Sequence, residues 1–392
     1  MKKSRTSGPK LFGEEQLFFT LPLDYKPRPP AGFDPERIIL ARGSLATTER
    51  ARFVEGIIRL YPEASVVERL DLSHNRIDLK EPNRLKFFAL GKRTLVFGEH
   101  KSAVRKSEED GNTCPNYWHF SPYGFCYYGC KYCYLAGTKT VWHSPTVKIF
   151  LNLDEMIEKM DKTAAQLSAP TAFYLGKLQD GLALDPLTGY SRMLVPFFAK
   201  HEFARQVILT KSVDVEALLT LDHRGHTILS WSVNPPEIVS RFEENTPQIE
   251  ERISAMKRCA EMGYPVRAVM MPIIPVPGWL EIYPAFVKSL LSEVNLSRLT
   301  LGSICIYDNA RNLMDMRLGR DNAISKGLQD KSIGADGRQR YPAILRIKLY
   351  RQIIRIVRAL RLDLEIALCL EEPGVWKELA LTRSQGRCNC VL

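Results

Sequence analysis

With 392 residues, 45% of them hydrophobic, the chain can bury one large core with additions or two to three smaller ones, and no run approaches the roughly 18 to 20 apolar residues of a membrane-spanning helix. Lys and Arg number 55 against 44 Asp and Glu, a formal charge of +11 that favours polyanionic partners such as nucleic acid. The basic first ten residues lack an apolar h-region and a cleavage site, so no secretory signal is read, and nine cysteines without an export signal point to the cytoplasm and to thiols used as ligands rather than staples.

Residues 1 to about 35 carry Pro22, Pro27, Pro29 and Pro30 with little periodicity and read as an extended arm. From Arg37 the pattern predicts a strand over 38–40, a helix over 47–60, and strands over 65–67 and 94–97, a small α/β unit. The charged, turn-prone stretch within 101–113 marks a boundary, giving an N-terminal arm and unit over 1–112. A strand near 118–120 precedes a cysteine-rich turn, and from there strands and helices alternate. Strands are predicted over 147–151, 172–175, 206–209, 227–232, 265–271 and 299–306. Helices are predicted over 153–167 and 191–200, from near Val213, from Thr246 as N-cap to Gly263, and over 285–294. About six β/α units imply an α/β fold with a parallel sheet, an open or partial barrel over 113–308 with its cavity at the carboxyl ends of the strands. Residues just past those ends should line it: Gly176, Lys177, Gln179, Asp180, Thr210, Lys211, Ser232, Asn234, Pro272, Cys305 and Tyr307.

A C-terminal extension over 309–392 follows. Between Arg338 and Leu362 it has eight basic residues and no acidic one. Lys348, Arg351, Arg355 and Arg358 form one stripe of a predicted helix beside the apolar stripe Ile347, Tyr350, Ile354 and Val357, either a solvated flank or a phosphate-tracking face. A strand over 364–369 comes next, and then a tail with Cys388 and Cys390, expected to be exposed and poorly placed to bond to each other.

The chemistry concentrates in the turn Cys126-Tyr-Tyr-Gly-Cys130-Lys-Tyr-Cys133-Tyr134. Three thiolates at these spacings can hold three corners of a [4Fe-4S] cluster and leave the fourth iron open to a small molecule. Zinc with Cys114 as a fourth ligand is the alternative metal reading, while three cysteines this close cannot all pair as disulfides.

With Tyr132 just before the third cysteine, this turn resembles that of the radical S-adenosylmethionine superfamily. Several further segments resemble the spore photoproduct lyase family within it: Ser73-His74-Asn75, Thr94-Leu-Val-Phe-Gly98, Asp185-Pro-Leu-Thr188, Thr210-Lys211, Ser232-Val-Asn234, Phe242-Glu243, Arg252-Ile253, Gly263-Tyr264-Pro265 and Gly278-Trp279. The resemblance runs from about Ile38 to Asp308. It implies a partial (β/α)6 radical barrel and two cofactors, a [4Fe-4S] cluster on Cys126, Cys130 and Cys133 and S-adenosyl-L-methionine. Gly176, Lys177, Lys211, Ser232, Asn234 and Tyr132 are the implied cofactor-binding residues, and Tyr132 and Tyr134 are implied to pass a hydrogen atom. A damaged DNA base, a thymine photoproduct, is the implied substrate, with a reducing electron-donor protein as partner and no membrane. One departure stands out. Where the lyases carry a hydrogen-donating cysteine before a Thr-Ser-Asp triplet, this chain reads Leu175-Gly176-Lys177-Leu178-Gln179-Asp180, leaving Cys305, Cys369 or the tail pair as substitutes. A small-molecule or peptide substrate, or a zinc-stabilised nucleic-acid-binding protein without catalysis, are the competing readings.

Overall fold

Short apolar runs punctuated by turn residues form two mostly parallel sheets, each with one antiparallel edge strand, in this computed structural model, which describes residues 21–108, 110–328 and 333–392. The first ten residues and most of the predicted arm lie outside the described residues.

The smaller sheet orders Ser65–Arg69, Arg37–Ala41, Thr94–Gly98, Val147–Phe150 and Tyr123–Gly124. Its first crossover is the helix Thr48–Ile58, whose start was legible because Thr47 Oγ1 accepts the Arg50 N–H at 3.2 Å. The helix Arg84–Lys92, with Asn83 as N-cap, escaped the sequence reading because its only fully buried positions are Phe87, Phe88 and Gly91. The strand predicted over 147–151 belongs here and not to the barrel, paired in parallel with Thr94–Gly98 through Leu95↔Val147 and Phe97↔Ile149. A short strand buried at every position fits either sheet, and only the long-range register decides.

The larger sheet has eight strands and curls into a half-open barrel. In order these are Glu365–Leu368, Arg298–Ser303, Val266–Ile273, Thr227–Ser232, Ala204–Thr210, Thr171–Leu175, Tyr117–His119 and Arg105–Ser107. All neighbours run parallel except the last, which pairs antiparallel. Alternation sets the two faces. Phe173, Ile208, Leu229 and Trp231 enter the main core beneath the helices, whereas Tyr117, Ala172, Tyr174, Val207 and Ile228 cluster on the inner face. The sheets cross the divisions drawn at 112/113 and 308/309, since Arg105–Ser107 and Glu365–Leu368 join the barrel and Val147–Phe150 joins the smaller sheet.

Two helix expectations are corrected. Near Val213 the chain makes no α-helix, only the 3₁₀ turn Leu218–Thr220, because Thr210 Oγ1 accepts the Ser212 N–H at 2.8 Å and Ser212 Oγ accepts the Asp214 N–H at 3.2 Å, holding a local turn. The helix expected from Thr246 is Ile249–Glu261, opened by a capping box of Gln248 and Glu251. The basic helix is Ala343–Leu360. It buries Leu349, Tyr350, Ile353 and Val357, leaves Lys348, Arg351 and Arg355 exposed, and uses Arg358 to bond the Leu364 carbonyl at 2.7 Å beyond its carboxyl end. No helix among the described residues is long and apolar enough to cross a membrane.

His74 and His100 pack against Phe150, with ring centroids 4.6 and 4.8 Å away. Burial is the largest cause in both, joined by repulsion between the imidazoles at His74 and by Arg105 at His100, and the two are pushed down to about 3 and about 4. The native state then binds fewer protons than the unfolded chain below about pH 6.5, so these residues contribute stability above that pH that is lost as pH falls toward 4. The urea midpoint is expected to drop across that window, and the double variant His74→Leu/His100→Leu to flatten the drop by roughly 1–3 kcal/mol relative to the parent. Equal slopes would assign the acid sensitivity elsewhere.

Candidate active site

The cysteine turn is clamped where the two sheets meet. Phe125, at φ 60°, donates its N–H to the Leu178 carbonyl at 3.0 Å, which ties the turn to the end of the Thr171–Leu175 strand. Gly129 and Cys130 pair antiparallel with Glu244 and Glu243, and Lys131 N–H reaches the Phe242 carbonyl at 2.8 Å. A Cβ on Gly129 would sit 2.8 Å from the Glu244 Cβ, so this pairing requires glycine. On the other flank Lys92 Nζ donates to the Tyr128 carbonyl and, at 3.4 Å, to that of Cys126. The helix Asp308–Leu318 covers the turn so closely that a Cβ on Gly137 would lie 2.9 Å from the Ala310 Cβ.

Under the turn lies a buried charge network that joins the expected site residues Tyr132 and Lys211 to Glu243 and Arg252, which the sequence reading did not assign to the site. Glu243 accepts from the Tyr132 hydroxyl and from Arg252 Nη2 at 2.6 Å, and Lys211 Nζ stands 3.9 Å from its other oxygen. Arg252, with no exposed surface, also bonds the Ser232 carbonyl at 3.0 Å and Thr246 Oγ1 at 2.8 Å. Burial works to raise the Glu243 carboxyl, but Lys211 and Arg252 outweigh it and hold the group below its usual range. Burial likewise opposes the Lys211 charge, and Glu243 and Cys130 keep that ammonium above its usual range. Both are therefore charged at neutral pH. Arg317, pushed down by burial, is drawn the other way by Cys133 and Cys130, so three cations, Lys92, Lys211 and Arg317, surround the thiols.

Asp180 organises the strand ends by accepting from Thr210 Oγ1 at 2.6 Å, the Lys211 N–H at 2.7 Å and the Ala183 N–H at 2.9 Å. Gly176 has φ 153°, and a Cβ there would fall 2.7 Å from the Leu209 Cβ. The Lys177 ammonium turns inward to Ser107 Oγ, 5.1 Å from the Tyr117 ring centroid, and so stands apart from Lys211 and Ser232. Its carbonyl accepts the Tyr134 hydroxyl at 2.9 Å. Asn234 is buried, and neither its Oδ1 nor the Gln179 Oε1 has a hydrogen-bond partner among the described residues. Pro272 follows the only cis peptide among the described residues, and Cys305 pairs in the two-residue strand Cys305–Ile306 against Gln339–Arg340.

The donor set fits a cluster with three thiolate ligands. Burial pushes Cys126 up, and pushes Cys130 to about 11, so at neutral pH ligation must displace protons, which the surrounding cations favour. Among the described residues no three of His, Cys, Asp and Glu converge on one metal ion. Cys114 does not join the thiols of the turn, because it hydrogen-bonds to Cys369 and Cys388 instead. The unpartnered Asn234 and Gln179 oxygens are buried acceptors that a ligand's amino group would satisfy.

The family profile described as "Spore photoproduct lyase" matches residues 35–304. The chain is 28% identical over 214 residues to spore photoproduct lyase of Bacillus subtilis (strain 168), covering 54% of this chain and 60% of that protein. It is 30% identical over 207 residues to the Clostridium acetobutylicum protein of the same name, covering 51% and 58%. The match thus spans less than two thirds of either relative's length. A solved spore photoproduct lyase complexed with dinucleoside spore photoproduct superposes with a TM-score of 0.74 at 20% identity, covering 86% of this chain and all of that one. That likeness places the fold.

Proposed function

Because the chain belongs to the spore photoproduct lyase family, we propose that it is a radical S-adenosylmethionine enzyme that opens a thymine photoproduct in DNA. The observation that carries this reading is the three-cysteine turn, clamped by backbone pairing at Glu243–Glu244 and ringed by Lys92, Lys211 and Arg317, at the mouth of the matched barrel.

Cys126, Cys130 and Cys133 would hold the [4Fe-4S] cluster, which supplies the electron that cleaves S-adenosylmethionine to methionine and a 5′-deoxyadenosyl radical. The chain's own residues bind and orient. Lys211 and Ser232 would meet the cofactor's carboxylate and ribose, and the buried Asn234 oxygen, without a partner among the described residues, would accept an amino hydrogen. Gly176 lets the backbone approach where a side chain would clash. Tyr132, committed to Glu243, positions the turn, while Tyr134, held at its hydroxyl by Lys177, passes the hydrogen atom. The +11 charge and the exposed Lys348, Arg351 and Arg355 supply attraction for DNA, and a small reducing protein supplies the electron.

Anaerobically reconstituted protein is expected to form 5′-deoxyadenosine faster with ultraviolet-irradiated duplex DNA than with unirradiated duplex, with matching loss of the photoproduct by mass spectrometry. Equal rates on both duplexes would remove DNA from the reading and leave a small molecule or peptide as substrate.

A further inference from the structure

Cys114, Cys369, Cys388 and Cys390 come from three distant stretches of the chain and meet inside the barrel. Cys114 hydrogen-bonds to both Cys369 and Cys388, and Cys388 to Cys390. Their placement follows from the open seam of the sheet. Cys369 directly follows the edge strand Glu365–Leu368, and Cys114 leads into Tyr117–His119 beside the opposite edge. The seam is drawn together by the Thr113 N–H and hydroxyl, which reach the Glu371 carbonyl at 3.0 and 2.8 Å.

The tail that was expected to be exposed enters this cavity. Cys388 is only 2% exposed, and Cys390, Val391 and Leu392 pack on Tyr117, Ala172, Tyr174, Val207 and Ile228. Arg298 Nη1 bonds the Cys388 carbonyl at 2.8 Å, Arg267 Nη1 bonds that of Val391 at 2.6 Å, and Ser230 Oγ bonds Asn389 Oδ1 at 2.8 Å. Arg267 is an undercompensated cation beside these thiols. Burial, with Arg298 adjacent, pushes it down to about 9, and its buried Nε has no acceptor.

We propose that these four cysteines form a second metal site, a four-thiolate centre for a soft cation, either zinc or an iron–sulfur cluster, that staples the seam of the barrel and anchors the tail. As thiols the four form a hydrogen-bonded chain and do not converge on one ion, and neither do Cys126, Cys130 and Cys133. Ligation of Zn2+, or uptake of a preassembled cluster in exchange for its former ligands, breaks four S–H bonds, passes the protons to solvent or to the displaced ligands and forms metal–sulfur bonds in their place, with no change of oxidation state. Arg267 and Arg298 offset the negative charge so created. The site is separate from the radical centre, although Cys390 lies close enough to feel the Lys177 charge.

The test uses the full chain with Cys126, Cys130 and Cys133 all changed to alanine, loaded anaerobically with Zn2+ or with a preassembled thiolate-capped iron–sulfur cluster and then desalted. It is expected to retain about one zinc or about two to four irons per chain, the metal retained distinguishing the two centres. Adding Cys388→Ser and Cys390→Ser should remove more than about nine tenths of that metal. Cobalt(II) titration of the triple variant gives a reading that misfolding of the added variants does not confound, because four thiolates produce an intense charge-transfer absorption. Absence of that absorption, or equal metal retention with and without the tail serines, overturns the proposal.

Discussion

Cys130→Ala is expected to reduce S-adenosylmethionine cleavage to the level of protein-free solution and to leave the Cys126–Cys133 turn without its iron. Three thiolates are the minimum for a cubane with one open corner, and two leave a second iron without a protein ligand. Cys130 is the most informative of the three to remove. Its backbone is fixed independently of its sulfur by pairing with Glu243, and its side chain is small, so the cost to the fold is on the order of 1–2 kcal/mol. A folded protein without cluster or cleavage is therefore the expected phenotype. The check is iron and sulfide content beside 5′-deoxyadenosine formed per minute, with circular dichroism to show that the fold persists. Cleavage at the parent rate would show that this sulfur is not a ligand.

The alternation of strands and helices was readable because most of the strands are short, largely apolar runs bounded by turn-forming residues, and local pattern carries that information. Pairing partners are not local. Val147–Phe150 is buried at every position like a central barrel strand, and Arg105–Ser107 is as polar as a linker, yet the first left the barrel and the second joined it. The cysteine ligands announced themselves by spacing. Glu243 did not, since a glutamate at the end of Pro236–Phe242 looks like any solvated carboxylate. The available signal was Arg252, an arginine on the face of Ile249–Glu261 otherwise occupied by Ile249, Ile253 and Met256, because a cation at a core position requires a buried anion. The tail misled for the opposite reason. Polar, glycine-containing segments are normally exposed, and nothing local reveals that Arg267 and Arg298, on the two strands next to the Glu365–Leu368 edge, bond its carbonyls.

Arg252→Met is expected to destabilise the protein by roughly 3–5 kcal/mol, because the change removes one partner of a fully buried pair and leaves the Glu243 charge with Lys211, at 3.9 Å, and the neutral Tyr132 hydroxyl to oppose its burial. The sign of the accompanying pH effect follows from the same geometry. In the parent the folded pKa of Glu243 is depressed, so its contribution is complete above the unfolded value and lost as pH falls through the folded one. Without Arg252, burial dominates, the folded pKa rises above the unfolded value, and acidification toward pH 5 should recover part of the loss that the parent never shows. Glu243→Gln in the same background should recover it at neutral pH, since the amide removes the stranded charge while keeping an acceptor for Tyr132. Urea unfolding at pH 5 and pH 7.5 measures all three effects, and a loss below about 1 kcal/mol at neutral pH would mean that water or Lys211 already neutralises the carboxylate. Because Glu243 is also the strand partner of Cys130, the loss should reach the cysteine turn first, with iron released at denaturant concentrations that leave the barrel folded.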